Sequence, residues 1–472
     1  MCLRHPPSRR CRHRPLIGAE SNHQLNWWFM TYIFLSEEEF HHLVYREYNK
    51  LEEGIFVRLK QNYFIYDEND EVFIEKVKEQ YRGMKSYLFS ATCLHIFVLT
   101  NACNLNCVYC QAQDSEQNNK GSMSVETAKR AVDIALQSPE KHLTFEFQGG
   151  EPLLCFDVIR FIIEYSQKNC NDKEIEYSLV TNTLLLTDEM IRFFKTHAVK
   201  ISTSLDGPQW IHDGNRSDKS GRGSFSAVHD NIGRLKQYKV LVGAIQTTTR
   251  KSLENPKGII DAYLEERLPY VFIRPLTPLG YASEHWDEIG YTVDEFISFY
   301  REILEYMLRL NQKGVRIIEG HARIFLRKIL GGFSENYMEL RSPCGAAVGQ
   351  IAYYYDGNIY TCDEGRMLAE MGSDSFRLGN VYDTLEYDEL MNCGVCKVTC
   401  QASVLEALPD CCECVYHPYC GVCPVINLAL EKNIYSRQAN SYRCRIYKGM
   451  LDTIFGLIYN NEKALEVFET WI

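Results

Sequence analysis

The chain has few apolar runs of any length, and the stretch from Trp27 to Leu35 falls well short of the roughly 20 residues a membrane-spanning helix needs. No small-residue cleavage site comes after it, which argues against a secretory signal. Arg9-Arg10 lacks an apolar segment directly behind it, which argues against a twin-arginine signal. Positive charge is in deficit too: 51 Lys and Arg against 62 Asp and Glu leave a net charge of −11. Nonspecific nucleic-acid binding is therefore not expected, and neither nucleic acid nor membrane is read as a partner. Also missing is the pattern of a small secreted disulfide protein. The 19 cysteines cluster at ligand-like spacings in a long chain, which predicts a reducing cytoplasm.

At 472 residues the chain suggests two or three domains, each able to bury its own core. Residues 1–25, with five arginines and no acid before Glu20, read as a disordered basic tail or an over-extended start, with Met30 as an alternative initiator. Residues 26–90 read as a small α+β unit. It has a strand at 31–35, an N-cap at Ser36 with Glu37, Glu38 and Glu39 behind it, a helix to about Leu51, and the stretches 54–60 and 63–66. From 91 to 335 the pattern alternates in parallel βα units. Strands are predicted at 94–99, 143–147, 175–181, 200–205, 241–248 and 271–275, and helices at 124–137, 158–168, 188–197, 225–238 and 257–267. Two amphipathic helices, 292–313 and 322–330, lead to a cysteine-rich segment, 336–472.

Cys103, Cys107 and Cys110 stand Cys-x3-Cys-x2-Cys after the first of these strands. Three thiolates so spaced hold three corners of a 4Fe-4S cube and leave its fourth iron without a protein ligand. The competing reading is structural zinc, which prefers four closed ligands and shorter paired spacings. Strand two ends in Gln148-Gly149-Gly150-Glu151-Pro152, where glycines let backbone approach a charged ligand closely. Thr181-Asn182 ends strand three. Ser204-Leu205-Asp206-Gly207-Pro208 ends strand four, with His212, Asp213 and Arg216 soon after.

The cysteine loop, with Tyr109 just before its third cysteine, resembles the cluster loop of the radical S-adenosylmethionine (SAM) enzymes. The resemblance implies an α/β fold with a partial (β/α)6 TIM barrel, whose reactive loops sit at the C-terminal ends of the strands. It implies a SAM-binding 4Fe-4S cluster on Cys103, Cys107 and Cys110, with Tyr109 against the adenine. Gly149, Gly150, Glu151 and Pro152 would hold the amino group of SAM, and Ser204 and Arg216 would contact SAM as well. An N-cap serine and a surface arginine are the plainer readings of the last two.

The C-terminal segment carries Cys344-x12-Gly357-x4-Cys362, then Cys411-x2-Cys414-x5-Cys420-x2-Cys423, then Cys444. This resembles the SPASM domain, the auxiliary-cluster extension of radical SAM enzymes that mature peptides and sulfatases. Two auxiliary 4Fe-4S clusters are implied, one on Cys344, Cys362 and Cys423 and one on Cys411, Cys414, Cys420 and Cys444. Cys393, Cys396, Cys400 or Cys412 is available as a fourth ligand of the former, or that iron is open. Zinc knuckles compete for the 411–423 run. Tyr355-Asp356-Gly357-Asn358 is a hairpin turn by composition. Cys93, Cys155 and Cys170 read as buried thiols, and Cys2 and Cys11 fall in the tail.

Asp363 directly succeeds Cys362, and sulfatase-maturing members of the family have an aspartate at this step and a glutamine where Gln148 stands. Asp363 and Gln148 are thus the catalytic candidates, Asp363 as a base. The plainer reading pairs Asp363 with Arg366. The residues around Cys344, Cys362 and Cys414 further resemble the B-type maturase of the His-Xaa-Ser peptide system. The resemblance implies an enzyme that forms a 5′-deoxyadenosyl radical and oxidatively modifies a residue of a peptide or protein. Its implied partners are that substrate, an electron donor such as flavodoxin or ferredoxin, and a second maturase of the same system. The alternatives are a sulfatase-type maturase making formylglycine and a noncatalytic iron-sulfur scaffold.

Overall fold

The structure, a computed structural model, describes residues 21–26, 31–66, 71–111, 121–332, 337–383 and 386–472. An antiparallel pair, β1 (Ser21–Asn26) and β2 (Thr31–Ser36), opens it, and α1 (Glu37–Val44), α2 (Glu53–Gln61) and α3 (Glu71–Met84) come after. Ser36 caps α1 as predicted: its hydroxyl accepts from the Glu39 amide, and the Glu39 carboxylate accepts from the Ser36 amide. α1 ends well before Leu51, and residues 54–60 lie in α2, whose Leu59 packs on Ile33, Leu35 and Leu43. Of the predicted tail, residues 1–20 lie outside the described residues, and residues 21–25 belong to β1 instead.

Six parallel strands come next in βα succession. They are β3 (Leu94–Val98), α4 (Val125–Ala135), β4 (His142–Gln148), α5 (Phe156–Asn169), β5 (Glu174–Val180), α6 (Asp188–Thr196) and β6 (Lys200–Ser204). Then come α7 (Gln209–Asn215), α8 (Phe225–Gln237), β7 (Val242–Thr247), α9 (Pro256–Glu265) and β8 (Tyr270–Arg274). The predicted α/β class with a mostly parallel sheet is what is observed. Side chains alternate between the two faces of a strand. In β4, Leu143, Phe145 and Phe147 are buried against the helices, which leaves Thr144, Glu146 and Gln148 on the inner face. The inner face of β4 is thus polar, and the upper rim of the sheet carries Gln148, Ser204, Thr247 and Arg274 at strand ends.

Beyond β8 come α10 (Tyr281–Glu284), α11 (Trp286–Ile289), α12 (Val293–Gln312), β9 (Ile318–Glu319) and α13 (Gly320–Ile329). The last segment holds β10 (Gln350–Tyr354), β11 (Asn358–Tyr360), α14 (Asp363–Glu370), β12 (Arg377–Asn380), α15 (Tyr387–Asn392) and α16 (Gly394–Gln401). It ends in α17 (Pro424–Glu431), α18 (Tyr442–Asn460) and α19 (Glu462–Glu469). Here the sheet shows what the sequence pattern did not. β10 pairs in parallel with β3, and β11 and β12 continue antiparallel, so the cysteine-rich segment extends the central sheet. The β10–β11 turn is the predicted hairpin, and Gly357 at φ +92° occupies a backbone region that favours glycine. α12, α13, α18 and α19 share one apolar core with Phe296, Leu304, Met450 and Ile454 fully buried. No helix among the described residues is long and apolar enough to cross a membrane.

Candidate active site

The loop after β3 is pinned from three sides by its own backbone. Gly150 and Glu151 amides donate to the carbonyls of Thr100 and Ala102 at 2.7 and 2.8 Å. Asn106 and Val108 amides donate to Ser217 and Asn215 carbonyls at 2.7 and 3.0 Å, and the Tyr281 amide donates to the Cys110 carbonyl at 3.2 Å. The glycines belong to this packing. A Cβ at Gly149 would stand 2.6 Å from the Thr100 carbonyl oxygen, and one at Gly150 would stand 2.3 Å from that of Ala102. Gly280, at φ +55°, meets the Cys110 carbonyl in the same way at 2.8 Å, and no motif in the sequence marks it.

Below the loop lies a cavity of about 280 Å³. Cys103, Cys107, Cys110, Tyr109, Gln148, Gly149, Gly150, Ser204 and Arg216 all line it, as do Thr181 and Asn182. Glu151, Pro152 and Asp363 are not among its lining residues. Both Glu151 oxygens are taken up within the protein: they accept from Thr181 Oγ1 (2.7 Å) and the amides of Leu153 (2.9 Å) and Asn182 (2.9 Å). Complete burial pushes its carboxyl up to about 6 against these bonds. These bonds tie the end of β4 to the end of β5. Asp363 likewise accepts from Arg366 Nη2 at 2.5 Å, the plainer of its two readings.

A hub that no sequence motif assigns is Asp206, which is fully buried. Its Oδ2 accepts from Tyr109 Oη (2.6 Å), Arg216 Nε (3.2 Å) and Asn215 Nδ2 (3.2 Å), and its Oδ1 accepts from the Thr247 amide (3.2 Å). Arg216 lies over the Tyr109 ring at 5.1 Å and reaches Cys107 Sγ at 3.9 Å. One acid thus holds an aromatic and a cation beside a thiol. Burial pushes Cys103 up to about 11 and Cys107 up to about 12.

Opposite the thiols, Glu339 pairs with Arg274 at 3.2 Å and with Arg443, and accepts from Tyr447 Oη at 3.2 Å. Burial opposes its charge, but Arg443 and Arg274 outweigh this and keep the carboxyl low. Glu364 also lines the cavity, and burial together with Glu339 and Asp363 raises its carboxyl. Arg274 ends β8 at the rim. Glu339, Glu364 and Arg443 lie in a loop and two helices with no local motif.

The C-terminal cysteines gather in two sets. Cys344, Cys362 and Cys423 share one apolar cluster, and burial raises the Cys344 and Cys362 thiols. Cys411, Cys414, Cys420 and Cys444 surround a void of about 30 Å³, and Cys423 borders it too. Among the described residues no three cysteine sulfurs lie within 4.8 Å of one another. Cys155 is buried as predicted, whereas Cys93 and Cys170 are only half-buried. Cys2 and Cys11 lie outside the described residues.

A family model described as the radical SAM superfamily matches residues 97–250. An uncharacterized protein of Methanocaldococcus jannaschii is 30% identical over 268 residues, 57% of this chain and 83% of that protein. A cysteine-type anaerobic sulfatase-maturating enzyme of Clostridium perfringens is 28% identical over 301 residues, 60% of this chain and 76% of that enzyme. Among solved structures, native anSMEcpe with bound AdoMet and Cp18Cys peptide has a TM-score of 0.67 at 22% identity, covering 80% of this chain and 99% of that one. Streptococcus suis SuiB bound to precursor peptide SuiA has a TM-score of 0.55 at 14% identity, covering 89% and 96%. These two likenesses are of fold.

Proposed function

Because the chain belongs to the radical SAM superfamily, a family of enzymes, we propose that it oxidatively modifies a residue of a ribosomally made peptide or protein, as in His-Xaa-Ser-type maturation. The observation that carries this reading is a single cavity in which three thiols face a polar rim, with two further thiol sets in the same chain. A 4Fe-4S cluster and SAM, the cofactors of the family, supply a 5′-deoxyadenosyl radical when bound. Cys103, Cys107 and Cys110 would hold the cluster. Tyr109, Gly149, Gly150, Ser204 and Arg216 would border SAM, and Asp206 would orient the Tyr109 ring and the Arg216 guanidinium. The two C-terminal sets would hold auxiliary clusters, and the Glu339, Glu364, Arg274 and Arg443 wall would face the substrate. Fold neighbours solved with peptides support a peptide as that substrate.

A second reading, formylglycine formation in a sulfatase, draws on the Clostridium perfringens relative and on Gln148, which lines the cavity. The test incubates the anaerobically reconstituted protein, SAM and reductant with a His-Xaa-Ser repeat peptide and, separately, with a sulfatase-derived peptide carrying Cys or Ser. Mass spectrometry should show the first peptide modified alongside 5′-deoxyadenosine. Modification confined to the second would decide for the sulfatase reading. Asp363→Asn separates them again. If Asp363 is held structurally by Arg366, product per 5′-deoxyadenosine stays at the wild-type ratio. If it is the base, SAM cleavage continues and product is lost.

A further inference from the structure

The last turn of α1 carries two adjacent histidines, and the acid that both of them reach lies beyond the helix end. Neighbouring side chains on a helix point about 100° apart, yet His41 and His42 converge on Glu47. Its Oε2 stands 2.8 Å from His42 Nδ1 and 3.9 Å from His41 Nδ1. The turn that brings it there is anchored in the backbone. Arg46 takes the left-handed conformation at φ +59°, and the Glu47 amide donates to the His42 carbonyl at 2.8 Å. Leu43 and Leu51, on either side of the turn, are buried in the core of the N-terminal unit. The Tyr45 ring backs that of His41 at a centroid distance of 4.3 Å. Lys50 engages the other Glu47 oxygen, Oε1, at 3.1 Å, which leaves Oε2 to the histidines. Glu38 Oε1 lies 3.6 Å from His42 Nε2.

We propose that His41, His42 and Glu47 form a zinc-binding site. One donor atom from each of the three lies within 4.8 Å of the other two. Donors about 2.0–2.1 Å from a tetrahedral zinc stand roughly 3.3 Å from one another, and the two distances to Glu47 Oε2 fall on either side of that value. Two imidazoles and a carboxylate are a donor set that zinc favours. The ion takes the place of the proton between His42 Nδ1 and Glu47. Glu38 then faces the proton on His42 Nε2, as the outer partner that ligating histidines usually have. The C-terminal end of α1 adds to this, since that end of a helix dipole attracts cations. The His42 side chain is largely covered, whereas those of His41 and Glu47 are open to solvent, so water completes the coordination. Binding clamps the chain between α1 and α2, a segment that holds no cysteine.

The test dialyses the full-length protein, with its clusters reconstituted, anaerobically against buffered zinc ions, and reads zinc and iron by plasma mass spectrometry. About one zinc per chain more is expected in the wild type than in His41→Ala with His42→Ala, at equal iron content. Glu47→Gln, which keeps a hydrogen-bonding side chain, should weaken zinc binding at least about tenfold, the cost of removing even an outer partner. Hydrogen exchange over residues 37–51 should slow with zinc in the wild type and not in the double variant. Equal zinc uptake by the wild type and the double variant would assign the ion to cysteines and overturn the proposal. So would wild-type affinity in Glu47→Gln, or exchange over 37–51 that zinc leaves unchanged.

Discussion

The loop with Cys103, Cys107 and Cys110 and the set Cys411, Cys414, Cys420 and Cys444 solve opposite problems with the same side chain. The first has three thiols at the edge of about 280 Å³ of open space, and the second has four around about 30 Å³. One site has open space beside its thiols, and the other has little. The difference lies in the number of donors and the space left, since burial raises the thiols of both sets.

The sharpest way to break this comparison is to remove thiols from each side. Cys107→Ala should bring 5′-deoxyadenosine formation to background, whereas Cys411→Ala with Cys414→Ala should remove about four of roughly twelve irons and leave SAM cleavage within about twofold of wild type. Loss of cleavage in both would show that the two sites are not separable. Iron assay and product chromatography on the same preparations decide it.

A subtler test targets the packing that holds the open loop. Gly150→Ala pushes a Cβ into the Ala102 carbonyl and should cost about 3 kcal/mol or more in denaturant unfolding. Gly394→Ala, with nothing within 4 Å of its Cβ, is the neutral control. Unaltered stability in Gly150→Ala would mean that the loop yields.

The smallest effect is in pH. Burial raises Glu151 to about 6, so the folded state binds its proton more tightly than the unfolded chain does. Its contribution favours folding below the unfolded value and is lost as pH rises through about 6, worth roughly 2 kcal/mol in all. Glu151→Gln should flatten that part of the stability profile, and an unchanged slope between pH 4.5 and 7 would contradict the burial argument.

The six barrel strands were legible from their regular alternation with helices, and in β4 the buried Leu143, Phe145 and Phe147 alternate with Thr144, Glu146 and Gln148. Cysteine spacing carried the thiol sets in the same way, because ligands to one centre recur at short intervals. The sequence was silent on what depends on distant partners. Nothing beside Glu151 in the sequence marks Thr181 and the Asn182 amide as its hydrogen-bond partners. Residues 54–60 have an apolar pattern that fits several elements, and packing on Leu43 selects the helix. Asp206 stood inside the run from Ser204 to Pro208 without a role, since its four donors come from three separate segments. No local signal marks Glu339 and Arg443, 104 residues apart, as one ion pair.

The pairing of β10 with β3 also has a consequence for how the chain is made. His95 Nδ1 and Tyr353 Oη meet at 3.1 Å across 258 residues of sequence. While the chain is being synthesised, the strand that precedes the cysteine loop waits as an uncovered sheet edge, and such edges invite pairing with other chains. Contacts of this separation form late and slow folding. The nascent barrel therefore passes through a long interval in which its first strand is unprotected, and completion of the last third of the polypeptide ends it.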